Sequence, residues 1–220
     1  MRETMTLVAK QAPADSLSWK GRIAVAVAIA PFIVKRVILL GQHDYIFWLA
    51  ADYSARMLSL VGVAMARQCG IFVGARPPAG VVFSVLIFIA VLIAQYILGY
   101  LYPILHAHLY YFQLASFPPI LNPHLRDFDL TFGLLLTALS EEYVFRALLF
   151  AVFERWHMKP LAIIILSSVA FALIHATSGV ADAINALLYG LLWGAAYWVT
   201  GRLSVCVAAH YLADLIIFGQ

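Results

Sequence analysis

The sequence predicts an all-α protein, a polytopic transmembrane helical bundle of six to seven spans with an intramembrane polar cavity. Of the 220 residues, 64% are hydrophobic and only 11% are charged. A soluble domain carries roughly 25% charged residues, so this chain cannot cover a water-facing surface. The composition excludes a soluble enzyme, a disordered protein and a nucleic-acid binder. The cavity is predicted from ionisable residues that lie inside the C-terminal apolar runs.

Composition divides the chain into three parts. Residues 1–22 are polar, with no apolar core or cleavage site typical of a removable signal peptide. Residues 23–129 are predicted to hold the N-terminal spans and an interfacial loop, and residues 130–220 a part of four helices. Because basic residues cluster in the first part, the positive-inside rule makes it a cytoplasmic N-terminal segment. This placement reverses if the first apolar run does not cross the membrane.

The first apolar run has two interpretations. It covers residues 23–34, is interrupted by Pro31, and is followed by Lys35 and Arg36 and then by residues 37–40. It is either a span whose two cations snorkel outward or a helix that lies in the interface.

Two further spans are predicted in the N-terminal half. Residues 45–65 contain Asp52 and Arg56, four apart and therefore on one helix face, which predicts a structural ion pair. Residues 81–101 are apolar apart from Gln95. About 20 apolar helical residues cross a bilayer core, so this run is long enough.

The second half begins after residues 102–129, a proline- and aromatic-rich stretch typical of an interfacial loop or short helix. Short connections separate the runs that follow, which makes sequence neighbours antiparallel and adjacent. Asp182 and Asn185, at the junction that leads into residues 183–200, are predicted loop and cap residues. The four predicted spans are residues 130–153, 161–176, 183–200 and 203–218.

The first of these four spans carries three ionisable residues. A charged side chain at the centre of a membrane helix costs at least about 2.5–3.5 kcal/mol, so such residues pair, face a cavity or do chemistry. Glu142 and Arg146 are four apart and can form a charge-assisted pair. Glu141 lies about 100° further around the helix and points elsewhere.

Two later spans carry histidines. His175 ends the second span of this half, and His210 shares a helix face with Asp214 in the last span. Three helices can therefore bring Glu141, His175 and His210 to one interior point. Several ionisable groups in three helices favour a functional site over packing.

A carboxylate and two imidazoles at a buried, hydrated point have two chemical interpretations. Glu141, His175 and His210 are candidate ligands of a divalent metal such as zinc, with one position left for water. Alternatively, no cofactor is needed: the glutamate and one histidine activate water, and the second histidine stabilises an oxyanion. Either arrangement hydrolyses an acyl bond. A proton relay in a small ion-coupled transporter is the alternative from another class, although no internal repeat accompanies it.

The three motifs resemble those of a known family. Glu141-Glu142-x-x-x-Arg146, Phe171-x-x-x-His175 and His210-x-x-x-Asp214 are similar, in order and placement, to the signature of the CPBP intramembrane proteases. That family includes CAAX-prenyl endopeptidases and bacteriocin-processing and abortive-infection proteins. The resemblance covers about ninety residues and marks residues 130–220 as a CPBP-like catalytic part.

The resemblance implies hydrolysis of a peptide bond by an intramembrane endopeptidase. It implies Glu141 as general base, His175 as its partner on the attacking water, and His210 as a stabiliser of the oxyanion. Most members have Asn where this chain has Asp214. An ionised carboxylate repels an oxyanion, so Asp214 is predicted to be protonated, to orient His210 or to bind a metal. Ala147 replaces the glycine that many members carry after the arginine, a change that affects helix packing.

The expected setting follows from these predictions. The protein is expected to be a multi-pass integral membrane protein of a bacterial inner membrane. Its expected partners are the lipid bilayer and a peptide or membrane-protein substrate, and no nucleic acid. A membrane scaffold that retains a degenerate protease site is a further alternative.

Overall fold

The computed structural model of the protein describes residues 17–72, 77–109 and 118–219. These residues are mostly helical and contain no β-strand, which confirms the all-α helical bundle. Residues 1–16 of the predicted cytoplasmic segment and residues 110–117 of the predicted interfacial loop lie outside the described residues.

Several helices are apolar enough for a membrane. Three in the described part of the chain are also long enough to cross it: Tyr45–Gln68, Val81–Leu109 and Val180–Thr200. Pro160–Leu173 and Leu203–Phe218 are shorter apolar helices of the same bundle. The protein is therefore an integral membrane protein.

The first helix, α1 (Trp19–Ile38), continues through Pro31 and begins where the Ser18 hydroxyl accepts a hydrogen bond from the Gly21 backbone N–H (3.1 Å). Its two C-terminal cations do not snorkel outward. Lys35 is buried in a salt bridge with Asp52, and Arg36 donates a hydrogen bond to Ser178. The prediction of outward cations is wrong because the bundle itself supplies a carboxylate and a hydroxyl on that side.

The second helix, α2 (Tyr45–Gln68), packs along α1. The two backbones approach closely at Gly62, where an added Cβ would overlap the backbone of Ala28. This close approach places Lys35, near the end of α1, beside Asp52 of α2. Asp52 and Arg56 form the predicted ion pair, with Arg56 Nε 2.6 Å from Asp52 Oδ2.

A long helical stretch runs through the centre of the bundle from Pro123 rather than from residue 130. Asn122 caps its first turn by accepting hydrogen bonds from two backbone N–H groups. Within the stretch, α6 (Leu134–Glu142) contacts α2 and α10 (Leu203–Phe218). The second π-helical turn (Tyr143–Leu148) contacts α1, α2 and α8 (Pro160–Leu173). In chain order its parts are α5 (Pro123–Phe128), a π-helical turn (Asp129–Gly133), α6 (Leu134–Glu142), a second π-helical turn (Tyr143–Leu148) and α7 (Leu149–Arg155).

Among the remaining helices, α8 and α10 contact this stretch directly. The helix α9 begins at Val180 rather than at residue 183, so Asp182 and Asn185 are helical residues near its start. It ends at Gly201, whose φ of 60° lies in the left-handed region that suits glycine. Helix α9 (Val180–Thr200) packs against α8, α10 and α3 (Val81–Gly99). These helices are α3 (Val81–Gly99), α4 (Leu101–Leu109), α8 (Pro160–Leu173), α9 (Val180–Thr200) and α10 (Leu203–Phe218).

Candidate functional site

The two adjacent glutamates end α6, at the point where the helix widens into its second π-helical turn. Glu141 is 2% exposed, and Glu142 and Arg146 are fully buried. π-helical turns within α-helices occur frequently at functional sites, because they alter which side chains share a face. Arg146 lies in this π-helical turn, and its side chain is nevertheless next to that of Glu142.

Glu142 connects two of the predicted site residues. Its Oε2 lies 3.2 Å from Arg146 Nε, and its Oε1 accepts a hydrogen bond from His210 Nδ1 at 2.8 Å. The Arg146 guanidinium lies over the ring of Phe171, 4.3 Å from the centroid, in a cation–π arrangement. The predicted Glu142–Arg146 pair therefore forms, and it also holds one nitrogen of His210.

Glu141 points away from this pair, as its position on the helix predicts. Its Oε1 accepts a hydrogen bond from Arg56 Nη1 (2.7 Å). Its Oε2 is buried, accepts no hydrogen bond from the described residues, and lies 3.8 Å from His210 Nε2. One oxygen of this carboxylate is thus fixed by an arginine, and the other has no hydrogen-bond partner among the described residues.

The arginine that holds Glu141 belongs to a chain of buried charges. Arg56 also pairs with Asp52, and Asp52 pairs with Lys35 of α1. All four side chains are buried. Charges out of water are stable when each has a partner of opposite sign, and this alternating chain meets that condition.

His210 lies where three carboxylates meet. Besides Glu142 and Glu141, its Nε2 lies 3.4 Å from Asp214 Oδ2, one helical turn further along α10. The imidazole stacks on the Trp193 ring, with centroids 4.1 Å apart and planes inclined by 22°. The ring is therefore fixed in both position and orientation.

His175 follows the end of α8 and lines the same cavity. Its Nδ1 is 2.8 Å from the backbone carbonyl oxygen of Phe171. A carbonyl only accepts hydrogen bonds, so Nδ1 carries a proton and Nε2 of the neutral ring keeps its lone pair. The Phe171 ring supports the imidazole at a centroid distance of 4.7 Å.

A cavity of about 230 Å³ brings these groups together. Glu141, His175, His210 and Asp214 line it, so the predicted convergence of one glutamate and two histidines is present. A second cavity of about 390 Å³ lies on the other side of Asp214, between α2 and the central stretch. Both have Arg56, Thr137, Asp214 and Phe218 in their walls. The apolar lining of the second cavity includes Tyr45, Trp48, Leu49, Ile120, Leu130 and Leu134.

The candidate metal ligands do not form a metal-binding group. In residues 17–72, 77–109 and 118–219, no three His, Cys, Asp or Glu side chains are arranged to hold a metal ion. Arg56 already binds one oxygen of Glu141, and a guanidinium repels a cation at that carboxylate. The donor set as arranged does not fit zinc, and a zinc cofactor stays an untested prediction.

The sequence did not identify every residue of this cavity. Arg56 was predicted as a structural partner of Asp52 alone, although it also binds Glu141. Arg36, Asp182 and Asn185 also line the cavity. The sequence did contain an indication that Arg56 belongs to the site, because an arginine in a membrane helix that has one acidic neighbour can bind a second carboxylate.

Comparison with known proteins gives a family for the C-terminal part. Residues 127–216, less than half of the chain, match the family model of Rce1-like type II CAAX prenyl endopeptidases. No curated protein and no solved structure matches the chain. The matched segment contains all three motifs, and the match confirms the resemblance to CPBP proteases. Residues 127–216 of this integral membrane protein are thus similar to the Rce1-like type II CAAX prenyl endopeptidases.

Proposed function

We propose that the protein is an intramembrane endopeptidase that hydrolyses a peptide bond of a membrane-associated peptide or protein. The observation that carries this proposal is the position of Glu141 Oε2, buried at the cavity and 3.8 Å from His210 Nε2. The Rce1-like match supports the same activity at the level of the family. The catalytic roles that follow are our assignment.

Glu141 and His175 activate the attacking water. The water donates one hydrogen bond to Glu141 Oε2 and another to His175 Nε2, which orients its lone pair toward the substrate carbonyl carbon. As the bond from oxygen to carbon forms, Glu141 takes a proton and later transfers it to the leaving amine as the C–N bond breaks. Arg56 keeps Oε1 occupied, so Oε2 is the oxygen that takes the proton.

His210 stabilises the oxyanion that forms on the carbonyl oxygen. Its Nδ1 donates to Glu142, so donation from Nε2 to the oxyanion requires that the ring carry both protons. Glu142 and Asp214 offset the positive charge of that ring. Asp214 lies beside Nε2 and acts as a positioning residue, in agreement with one of the roles that the sequence predicts for it.

The substrate reaches the site from the bilayer. Two cavities meet at Asp214, both with a largely apolar lining, and a peptide with apolar side chains fits a path through both. We place the protein in a bacterial inner membrane, with the lipid bilayer and a membrane-associated peptide as its partners.

Two alanine variants test the assignment. Glu141→Ala and His175→Ala should each abolish cleavage of a synthetic S-prenylated peptide with a CAAX ending by the detergent-solubilised protein. Asp127→Ala and His124→Ala, both exposed on α5, are the matched controls and should cleave normally. Unchanged cleavage in Glu141→Ala would reject the proposal. Ion flux in liposomes that requires Glu141, without proteolysis, would indicate a transporter, and binding without turnover a scaffold.

A further inference from the structure

Arg36 reaches the cavity from α1, outside the segment that matches the family. Its Nη1 donates a hydrogen bond to Ser178 Oγ (3.0 Å), and its buried Nε has no hydrogen-bond partner among the described residues. It forms no salt bridge within the described part of the chain. Glu141, Asp52 and Asp182 act on it only through space.

The other cations around the site are paired. Lys35 has Asp52, Arg56 has two carboxylates, and Arg146 has Glu142. Buried charges are costly unless they are paired, so a guanidinium without a carboxylate at a cavity wall indicates a ligand that brings the negative charge. Arg36 is the exception among these four cations.

We propose that Arg36 binds the C-terminal carboxylate of the peptide that the protein cleaves. This inference rests on the proposed function and names the part of the substrate that the cavity recognises. A guanidinium presents a planar fork of donors that matches a carboxylate. In Arg36, Nη1 binds Ser178, and Nε has no hydrogen-bond partner among the described residues.

The size of the cavity favours a chain end over a continuing segment. Its volume of about 230 Å³ is below that of ordinary ligand pockets, which hold roughly 300–1,000 Å³. Arg36 and Glu141 line the same space, so a terminal carboxylate on Arg36 keeps the bond to be cut only a few residues away. An acidic side chain would require the peptide to continue past Arg36.

The experiment compares two peptides and two variants. An S-prenylated CAAX peptide with a free carboxylate and its C-terminal amide are cleaved by the unmodified protein, by Arg36→Gln and by Arg22→Gln. Arg22 is the matched control, because it lies on the same helix and is exposed. A charged hydrogen bond stabilises by about 1.5–3 kcal/mol, so we expect amidation to raise KM roughly tenfold to a hundredfold. Arg36→Gln should show the same high KM with both peptides.

Two further arms separate other sources of the negative charge. An amidated peptide with Asp at its last position tests an acidic side chain. Nanodiscs of phosphatidylcholine with and without phosphatidylglycerol test a lipid headgroup. The proposal is overturned if the unmodified protein has the same KM for the acid and the amide peptide. It is also overturned if Arg36→Gln raises KM by the same factor for both peptides. A third contrary result is an effect of Arg36→Gln that depends on phosphatidylglycerol and not on the peptide terminus.

A binding measurement separates this proposal from the proposed function. Fluorescence anisotropy of the labelled peptides with Glu141→Ala, which is inactive under the proposed mechanism, reports recognition without turnover. Preference for the free carboxylate that is lost in the Glu141→Ala, Arg36→Gln double variant supports the subsite even if no peptide is cleaved. Equal binding of acid and amide by Glu141→Ala rejects it even if the protein is a protease.

Discussion

Arg56 Nη1 lies 2.7 Å from Glu141 Oε1 and joins a helix outside the family-matched segment to the glutamate of the first motif. The same guanidinium binds Asp52, which in turn binds Lys35. Two N-terminal helices that carry no family signature therefore fix the orientation of the carboxylate in the site. Under the proposed mechanism Arg56 is a positioning residue, because it acts on the reaction through Glu141.

Arg56→Gln should lower kcat by about a hundredfold with little change in KM, since misplacing a reactive group by roughly 1 Å costs that much. Arg56→Lys keeps the charge but loses the fork of donors, so it should retain part of kcat. Steady-state cleavage of the prenylated peptide measures both constants.

Loss of a buried partner also destabilises a protein, by about 3–5 kcal/mol, so thermal unfolding of each Arg56 variant is measured in parallel. Arg202→Gln serves as the control, because Arg202 binds the backbone carbonyl of Ala79 and lines neither wall of the site. Equal kcat in folded Arg56→Gln and in the unmodified protein would contradict the positioning role.

Helical spacing predicts much of this site because the relevant contacts are local. The Glu142–Arg146 and Asp52–Arg56 pairs lie one turn apart on a single helix and were predictable from the sequence. The divergence of Glu141 from Glu142 follows from the same geometry. Helical spacing within three neighbouring spans also predicts that His175 and His210 converge on Glu141.

Contacts between distant helices were not predictable in this way. Arg56 meets Glu141 across 85 positions, and Arg36 meets Ser178 across 142. Nothing local indicates that α1 turns Lys35 and Arg36 into the bundle, since snorkelling to the interface satisfies the same charges. Asp182 and Asn185 line the cavity because α9 begins at Val180. This start was not predictable from the sequence, since tertiary packing sets where a helix begins.

Asp214→Asn should retain cleavage or increase it. Asp214 Oδ2 lies 3.4 Å from His210 Nε2, and an amide there can still bond to the ring and can also donate to the oxyanion. Asp214→Ala removes the contact to the His210 ring and should lower kcat by about a hundredfold, as the misplacement of a reactive group does. Single-turnover cleavage measures the chemical step. A loss in Asp214→Asn as large as in Asp214→Ala would show that the charge itself is needed.

Chelators should leave the activity unchanged. The three candidate ligands do not form a metal-binding group in the described residues, and Arg56 already occupies one oxygen of Glu141. Cleavage is measured after treatment with EDTA and with 1,10-phenanthroline, and metal content is measured by mass spectrometry of the purified protein. Activity that disappears on chelation and returns with zinc, together with about one bound zinc per chain, would make Glu141, His175 and His210 metal ligands after all.

Gly62→Ala should destabilise the protein and reduce its activity through α1. An added Cβ at Gly62 would overlap the Ala28 backbone, so the two helices must separate, and overpacking of this kind costs about 1–3 kcal/mol. Separation moves Lys35 away from Asp52, which weakens the chain of charges that ends at Glu141. Gly99→Ala is the matched control, because nothing lies within 4 Å of its added Cβ. Thermal unfolding and peptide cleavage are measured for both variants. If Gly62→Ala is as stable and as active as Gly99→Ala, close packing of α1 against α2 does not position the site.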